Sequence, residues 1–194
     1  TGDRAVKIGG EEVVYRHDLS FFNPTAIAMD VWDTMPEDSL TNRVKEIESF
    51  QIKRFGKILK LDAIAVRSIS GNGNKFKNTV SSVSSMIDMP LILCSLDPNV
   101  LKTGLEVIED KKPLLYAATK ENWRELLEMA KNYGAPVVLS SPGDINTLGS
   151  LSKTFSENGV SDIILDPGTF YQFGAMMDSL SNFMMLRRAC VEES

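Results

Sequence analysis

The chain has 194 residues, 43% apolar and 24% charged, proportions that suit one globular domain large enough to bury a sizeable core. Its 21 Lys and Arg are scattered among 26 Asp and Glu, for a net charge of −5, which argues against a nucleic-acid surface built from clustered positive charge. Two cysteines, Cys94 and Cys190, exclude a disulfide framework or a four-thiolate metal site, and no apolar run reaches the ~18–20 residues that span a bilayer.

The expectation is a soluble cytoplasmic protein with reduced thiols and neither membrane nor nucleic acid as partner. The opening at Thr1, with no methionine and a strand-like start, leads us to expect a segment of something longer. Residues 5–16 (AVKIGGEEVVYR) read as a hairpin turning at Gly9 and Gly10, followed by a lead-in to residue 22. Asn23 and Pro24 break it off, and AIAMDVWD (26–33) starts the first of six apolar runs. Asp38 or Ser39 then caps a helix through Phe55 with Leu40, Val44, Ile47 and Phe50 facing inward and Gly56 as its stop. The second run, ILKLDAIAVRS (58–68), leads through SISGNGN to a helix over 75–87. The third, PLILCS (90–95), leads through Asp97 to Pro98 at a helix start, and that helix ends near Asp110. PLLYAAT (113–119) precedes a helix closed by Tyr133 and Gly134, and PVVLSS (136–141) a helix closed by Asn158 and Gly159. DIILDPG (162–168) precedes the last helix, around residues 178–190.

Near-continuous apolar strands alternating with helices specify an α/β fold with a parallel sheet, expected to be covered on both faces. Two architectures accept six such units: an open doubly wound sheet, or a TIM (β/α)8-type barrel truncated to six units. A full barrel needs about 250 residues, which two more units of about 25 residues would supply. The first strand is followed by Asp33-Thr34-Met35-Pro36 in place of a glycine-rich turn, which favours the truncated barrel, a single domain over 1–194 with the partial barrel in 23–194. Its first and sixth strands would leave unpaired edges, so either self-association or coverage by irregular segments is expected.

Ser70-Gly71-Asn72-Gly73-Asn74 lacks the third glycine of a dinucleotide fingerprint, whose place Phe76 takes, and reads as a turn with a helix cap. Arg67 at a strand end suits either an anion or a carboxylate on a neighbouring strand. Asp33, Asp97 and Asp166 approach one barrel mouth, where carboxylates can hold a heterocycle or act as acid and base. Asp97 and Asp33 also suit local cap and turn roles, which leaves Asp166 the best candidate of the three. His17, the only histidine, is far in sequence from these ends, and Cys94 reads as a small core residue with no histidine to activate it. No catalytic or metal-ligating set emerges.

The strings YRHDLSFFNPTAIAMDVWD, LDAIAVRSISG, PLILCSLDPNVLKTGLE, KKPLLYAATKENW and IILDPGTF, in that order, closely resemble the large (gamma) subunit family of the corrinoid iron–sulfur protein, in a version nearer to archaeal than bacterial members. This family belongs to the acetyl-CoA decarbonylase/synthase complex of methanogens and acetogens. The resemblance implies a central TIM-type barrel between a cysteine-rich [4Fe-4S] domain and a corrinoid (cobamide) domain. It implies a parent that takes methyl from a methyl-tetrahydropterin, carries it as methylcobamide and delivers it to acetyl-CoA synthase in one-carbon metabolism. The cluster cysteines and the corrinoid domain have no counterpart here, so no cofactor is expected on this chain. The implied role is scaffold and docking, with the small (delta) subunit and the acetyl-CoA synthase and CO dehydrogenase components as partners. The alternative is a pterin-binding methyltransferase barrel, in which strand-end Asp97, Asn122 and Asp166 hold the donor.

Overall fold

The computed structural model describes residues 5–8, 23–172 and 175–192. The hairpin expected over 5–16, and His17 after it, lie outside the described residues, 5–8 apart. Chain order is β1 (Ala28–Trp32), α1 (Glu37–Ser49), β2 (Gln51–Arg54), β3 (Lys57–Lys60), β4 (Ala63–Arg67), α2 (Gly73–Met86), β5 (Leu91–Cys94), α3 (Pro98–Leu105), β6 (Leu114–Ala118), α4 (Trp123–Tyr133), β7 (Val137–Ser140), α5 (Ile145–Glu157), β8 (Ile163–Asp166) and α6 (Ala175–Glu192).

Six strands form one sheet in the order β1-β4-β5-β6-β7-β8, every pair parallel. Spatial order follows chain order without reversal. A doubly wound sheet must reverse direction at a switch point, so the fold is the partial-barrel alternative. Right-handed crossovers that all step the same way put their helices on one side. Val31, Ile64, Val66, Leu91, Leu93, Leu115, Val137 and Leu139 face that side and are buried with Phe76, Leu101, Leu126, Leu148 and Phe155 from the helices. The opposite face carries no helix among these crossovers, which corrects the expectation of a sheet covered on both sides. Its residues alternate with the core set: Asp30, Arg67, Cys94, Tyr116, Ser140 and Asp166.

Several boundaries also differ. The helix expected through Phe55 ends at Ser49, and residues 51–60 form an antiparallel hairpin, β2 with β3, outside the main sheet. Gly56 is therefore a hairpin-turn residue at φ 76°, not a helix stop. The run read as one strand over 58–68 splits into β3 and β4. The third helix stops at Leu105, and a 3-10 turn over Glu109–Lys111 fills the distance to β6.

Local signals explain the rest. Asn72 caps α2 by accepting from Lys75 N at 3.1 Å, Asp97 caps α3 from Asn99 N at 2.8 Å with Pro98 in its first turn, and Asp144 caps α5 from Thr147 N at 3.0 Å. Gly134 ends α4 at φ 57°.

Helices α2 and α3 pack closely because Gly104 has no side chain. A Cβ there would stand 2.5 Å from Cε1 of the fully buried Phe76. Glycine inside a helix ordinarily costs about 1 kcal/mol relative to alanine. Here the contact reverses that preference: Gly104→Ala should destabilise the fold by about 1–3 kcal/mol through overpacking. A lowered urea midpoint at unchanged m-value checks it, and an unchanged or raised midpoint would refute it.

Candidate functional site

Parallel barrels place chemistry at the carboxyl ends of their strands, and here that end holds two hydrogen-bonded groups. At the first, Asp33 follows β1 and is 7% exposed. One carboxylate oxygen accepts from Ile69 N at 2.8 Å and Ser70 N at 3.0 Å, the other from Ser70 Oγ at 2.6 Å and Ser68 Oγ at 3.1 Å. Burial pushes this carboxyl up, but the hydrogen bonds from Ser70, Ile69 and Ser68 outweigh it and hold its pKa below the usual carboxylate value. Asp33 thus ties the β1 end to the loop between β4 and α2. The loop was expected to be a capped turn and is one.

The second group crosses the helix-free face. Asp30 of β1 accepts from Arg67 Nη1 at 2.7 Å and meets Arg43 of α1 at 3.4 Å. The Arg67 hydrogen bond, against an opposing contribution from burial, holds Asp30 below its ordinary pKa. Of the two roles open to Arg67, the structure gives the carboxylate on a neighbouring strand. Register continues the row from Arg67 to Cys94 and Tyr116. The Tyr116 hydroxyl donates to Asp166 Oδ2 at 2.8 Å, and Ser140 Oγ lies 3.3 Å from the same oxygen. Burial first, then the bond to Asp166, raises the Tyr116 phenol to about 12. Burial likewise raises Cys94 to about 12, so it is a neutral thiol at physiological pH.

The three residues singled out in the sequence sit at the carboxyl ends of β5, β6 and β8, with β7 between the last two. Asp97, beyond β5, is an N-cap. Asn122, 6% exposed, accepts from Thr119 N at 2.7 Å and donates to Leu96 O at 2.9 Å and Ala117 O at 3.1 Å, stitching the β5 and β6 ends together. Asp166 also accepts from Gly168 N at 2.9 Å. The structure thus brings Asn122 beside the loop that holds Asp97, while Asp166 is joined to β6 through Tyr116. Sequence reasoning missed Asp30, Tyr116 and Ser140. Tyr116 sits inside an apolar run, and its partner Asp166 lies 50 positions on.

The group of acid, base and metal-binding side chains needed for a metal site is absent among the described residues. Two cysteines cannot supply the four thiolates of an iron–sulfur cluster. No buried polar side-chain atom among the described residues lacks a partner that a corrinoid could satisfy. Neither group fits the residues present. No described helix is long and apolar enough to cross a membrane.

A family model described as the CO dehydrogenase/acetyl-CoA synthase delta subunit matches residues 1–194. The chain belongs to this family. Family relatives include the acetyl-CoA decarbonylase/synthase complex subunit gamma 2 of Methanosarcina thermophila, 50% identical over 188 residues. The gamma subunits of Methanothermobacter thermautotrophicus and Methanocaldococcus jannaschii are 42% identical over 191 and 38% over 192. These matches cover 97–98% of this chain but only 39–41% of each relative. The chain therefore spans about 40% of the length of the curated relatives it matches. The family description says delta and the relatives say gamma. Pairwise identity over nearly the whole chain favours gamma, as the quoted strings implied.

Two predictions follow from this geometry. Asp33 has a depressed folded pKa, so its stabilisation is complete above its unfolded value near 3.8 and is lost as pH falls through the folded value. Asp33→Ala should cost about 2–3 kcal/mol at neutral pH, and the gap between wild type and variant in urea midpoint should narrow below pH 3.8. A gap independent of pH would contradict the assignment. In a Cys190→Ser background, Cys94 should react with a thiol reagent at pH 8 at least about 100-fold more slowly than a free thiol, and fully once the chain is unfolded.

Proposed function

We propose that this chain is the barrel portion of a gamma-type subunit of an acetyl-CoA decarbonylase/synthase complex, acting as scaffold and docking domain. The observation that carries this reading is the state of its strand-end polar groups. Asp33, Asp97, Asn122 and Asp144 are each engaged by nearby backbone, and Asp30 and Asp166 by cross-strand partners. These groups hold the barrel mouth in shape, and the hydroxyls of Ser70 and Tyr116 are spent on tying Asp33 and Asp166 to their neighbours. Their geometry suits a rigid body that spaces other domains.

In this reading the parent carries a methyl group from a methyl-tetrahydropterin, as methylcobamide, to acetyl-CoA synthase, with its corrinoid and [4Fe-4S] cluster held outside this chain. The small (delta) subunit and the acetyl-CoA synthase and CO dehydrogenase components are its partners in the cytoplasm, and the open edges of β1 and β8 are covered by the rest of the parent or by a second copy. One observation favours a second reading, a pterin-holding barrel: Asp97, Asn122 and Asp166 all lie at the carboxyl ends of the sheet, where an N–H-rich heterocycle could be held.

Calorimetric titration of the full-length gene product with a tetrahydropterin separates the two. The scaffold reading expects no heat that depends on Asp166. Micromolar binding abolished by Asp166→Ala, in a variant of unchanged melting temperature, would replace it with the pterin-holding barrel.

A further inference from the structure

The hairpin β2–β3 does nothing for the core. It replaces the two to six residues that ordinarily join a helix to the next strand of such a barrel, its strands pair only with each other, and all eight of their residues are exposed. A lone two-stranded ribbon is marginal in water. This one also exposes Ile52, Ile58 and Leu59 at 45–61%, and Phe55 completely.

Its turn departs from what stability would select. Phe55 and Gly56 are the two central residues, at φ 47° and 76°. Two positive φ values define a type I′ turn, which prefers Asn-Gly or Asp-Gly because a bulky side chain is strained there. Phe55 occupies the strained position and is fully exposed, with no compensating contact. Local rules broken without structural gain mark positions kept for function.

The charge is as uneven. Lys53, Arg54, Lys57 and Lys60 lie in residues 51–60 with no acidic residue among them, although acidic residues outnumber basic ones along the chain. None of the four is in an ion pair among the described residues. A ribbon with a projecting aromatic tip and a cationic collar is complementary to an apolar pocket with an acidic rim.

We infer that the β2–β3 hairpin is a docking element whose Phe55 enters an apolar, acid-rimmed pocket on an adjoining protein subunit. The occupant rests on the reading of this chain as a complex subunit. A nucleic acid or anionic membrane fits less well, because the body behind the hairpin is strongly negative and repels an extended polyanion. A symmetric contact with a second copy would set the same four cations against themselves.

The test uses the full-length gene product and the delta subunit of the same organism's complex, with Kd measured at low and high salt. Phe55→Asn accepts the positive φ, so its melting temperature should hold or rise while binding weakens at least about tenfold. Lys53→Glu with Lys57→Glu should weaken binding and abolish its salt dependence. Wild-type binding that neither variant alters would overturn the hairpin as the docking element and leave the complex reading intact. No binding by any form, wild type included, would overturn the occupant together with the complex reading. Variants that change self-association by light scattering, or capture by anionic vesicles, while leaving delta binding untouched would overturn the inference in favour of those occupants.

Discussion

Parallel pairing in strict chain order constrains everything else in this molecule. A parallel pair cannot be closed by a tight turn, so each step needs a helix, and steps that always go the same way put every crossover helix on the same side. One sheet face is therefore buried under helices, where Val66, Leu93 and Leu139 meet Phe76 and Phe155. The other face is free of crossovers and can carry polar side chains. A salt bridge such as Asp30 with Arg67, half open to water, adds little to stability. Its effect is to fix which rotamers line that face.

The polar groups divide by distance. Asp97, Asp144 and Asn72 act within three residues, closing helix ends. Asp33, Asn122 and Tyr116 act across loops or strands, over intervals of up to 50 residues. The local group makes the elements, and the long-range group holds their ends in register around the barrel mouth. Asp33 is the firmest of these ties, because its carboxylate oxygens take four hydrogen bonds from one short loop.

This division also decides what the sequence reveals. Caps at Asp97 and Asn72 and the left-handed glycine at Gly134 are written in adjacent residues, and the alternation of apolar runs with helices gives the parallel α/β class, whereas the choice of barrel order rests on length and on the absence of a glycine-rich turn after the first strand. Family membership was legible in long strings such as PLILCSLDPNVLKTGLE. The hairpin was not: Lys53, Arg54, Lys57 and Lys60 interrupt the period-two pattern, while Ile47 and Phe50 let the preceding helix be read onward to Gly56. The Tyr116 to Asp166 contact was hidden for a different reason. Tyrosine in an apolar run looks like core, and only the closing of β6, β7 and β8 side by side brings its hydroxyl to a carboxylate.

The order of the strands has a consequence for biosynthesis. Because each strand of the main sheet pairs with the next one synthesised, apart from the inserted hairpin, no pairing reaches beyond one βα unit, yet each still closes over about 22 to 35 residues, and parallel pairing of that kind is intrinsically slow. A ribosome-bound chain can add one βα unit at a time to a growing edge, domains being completed from the amino terminus onward. Every intermediate then has the same anatomy, a finished block with one fresh strand edge and one newly made helix whose apolar side awaits its neighbour. In α6 the side chains of Met176, Met177, Phe183 and Met184 are exposed among the described residues.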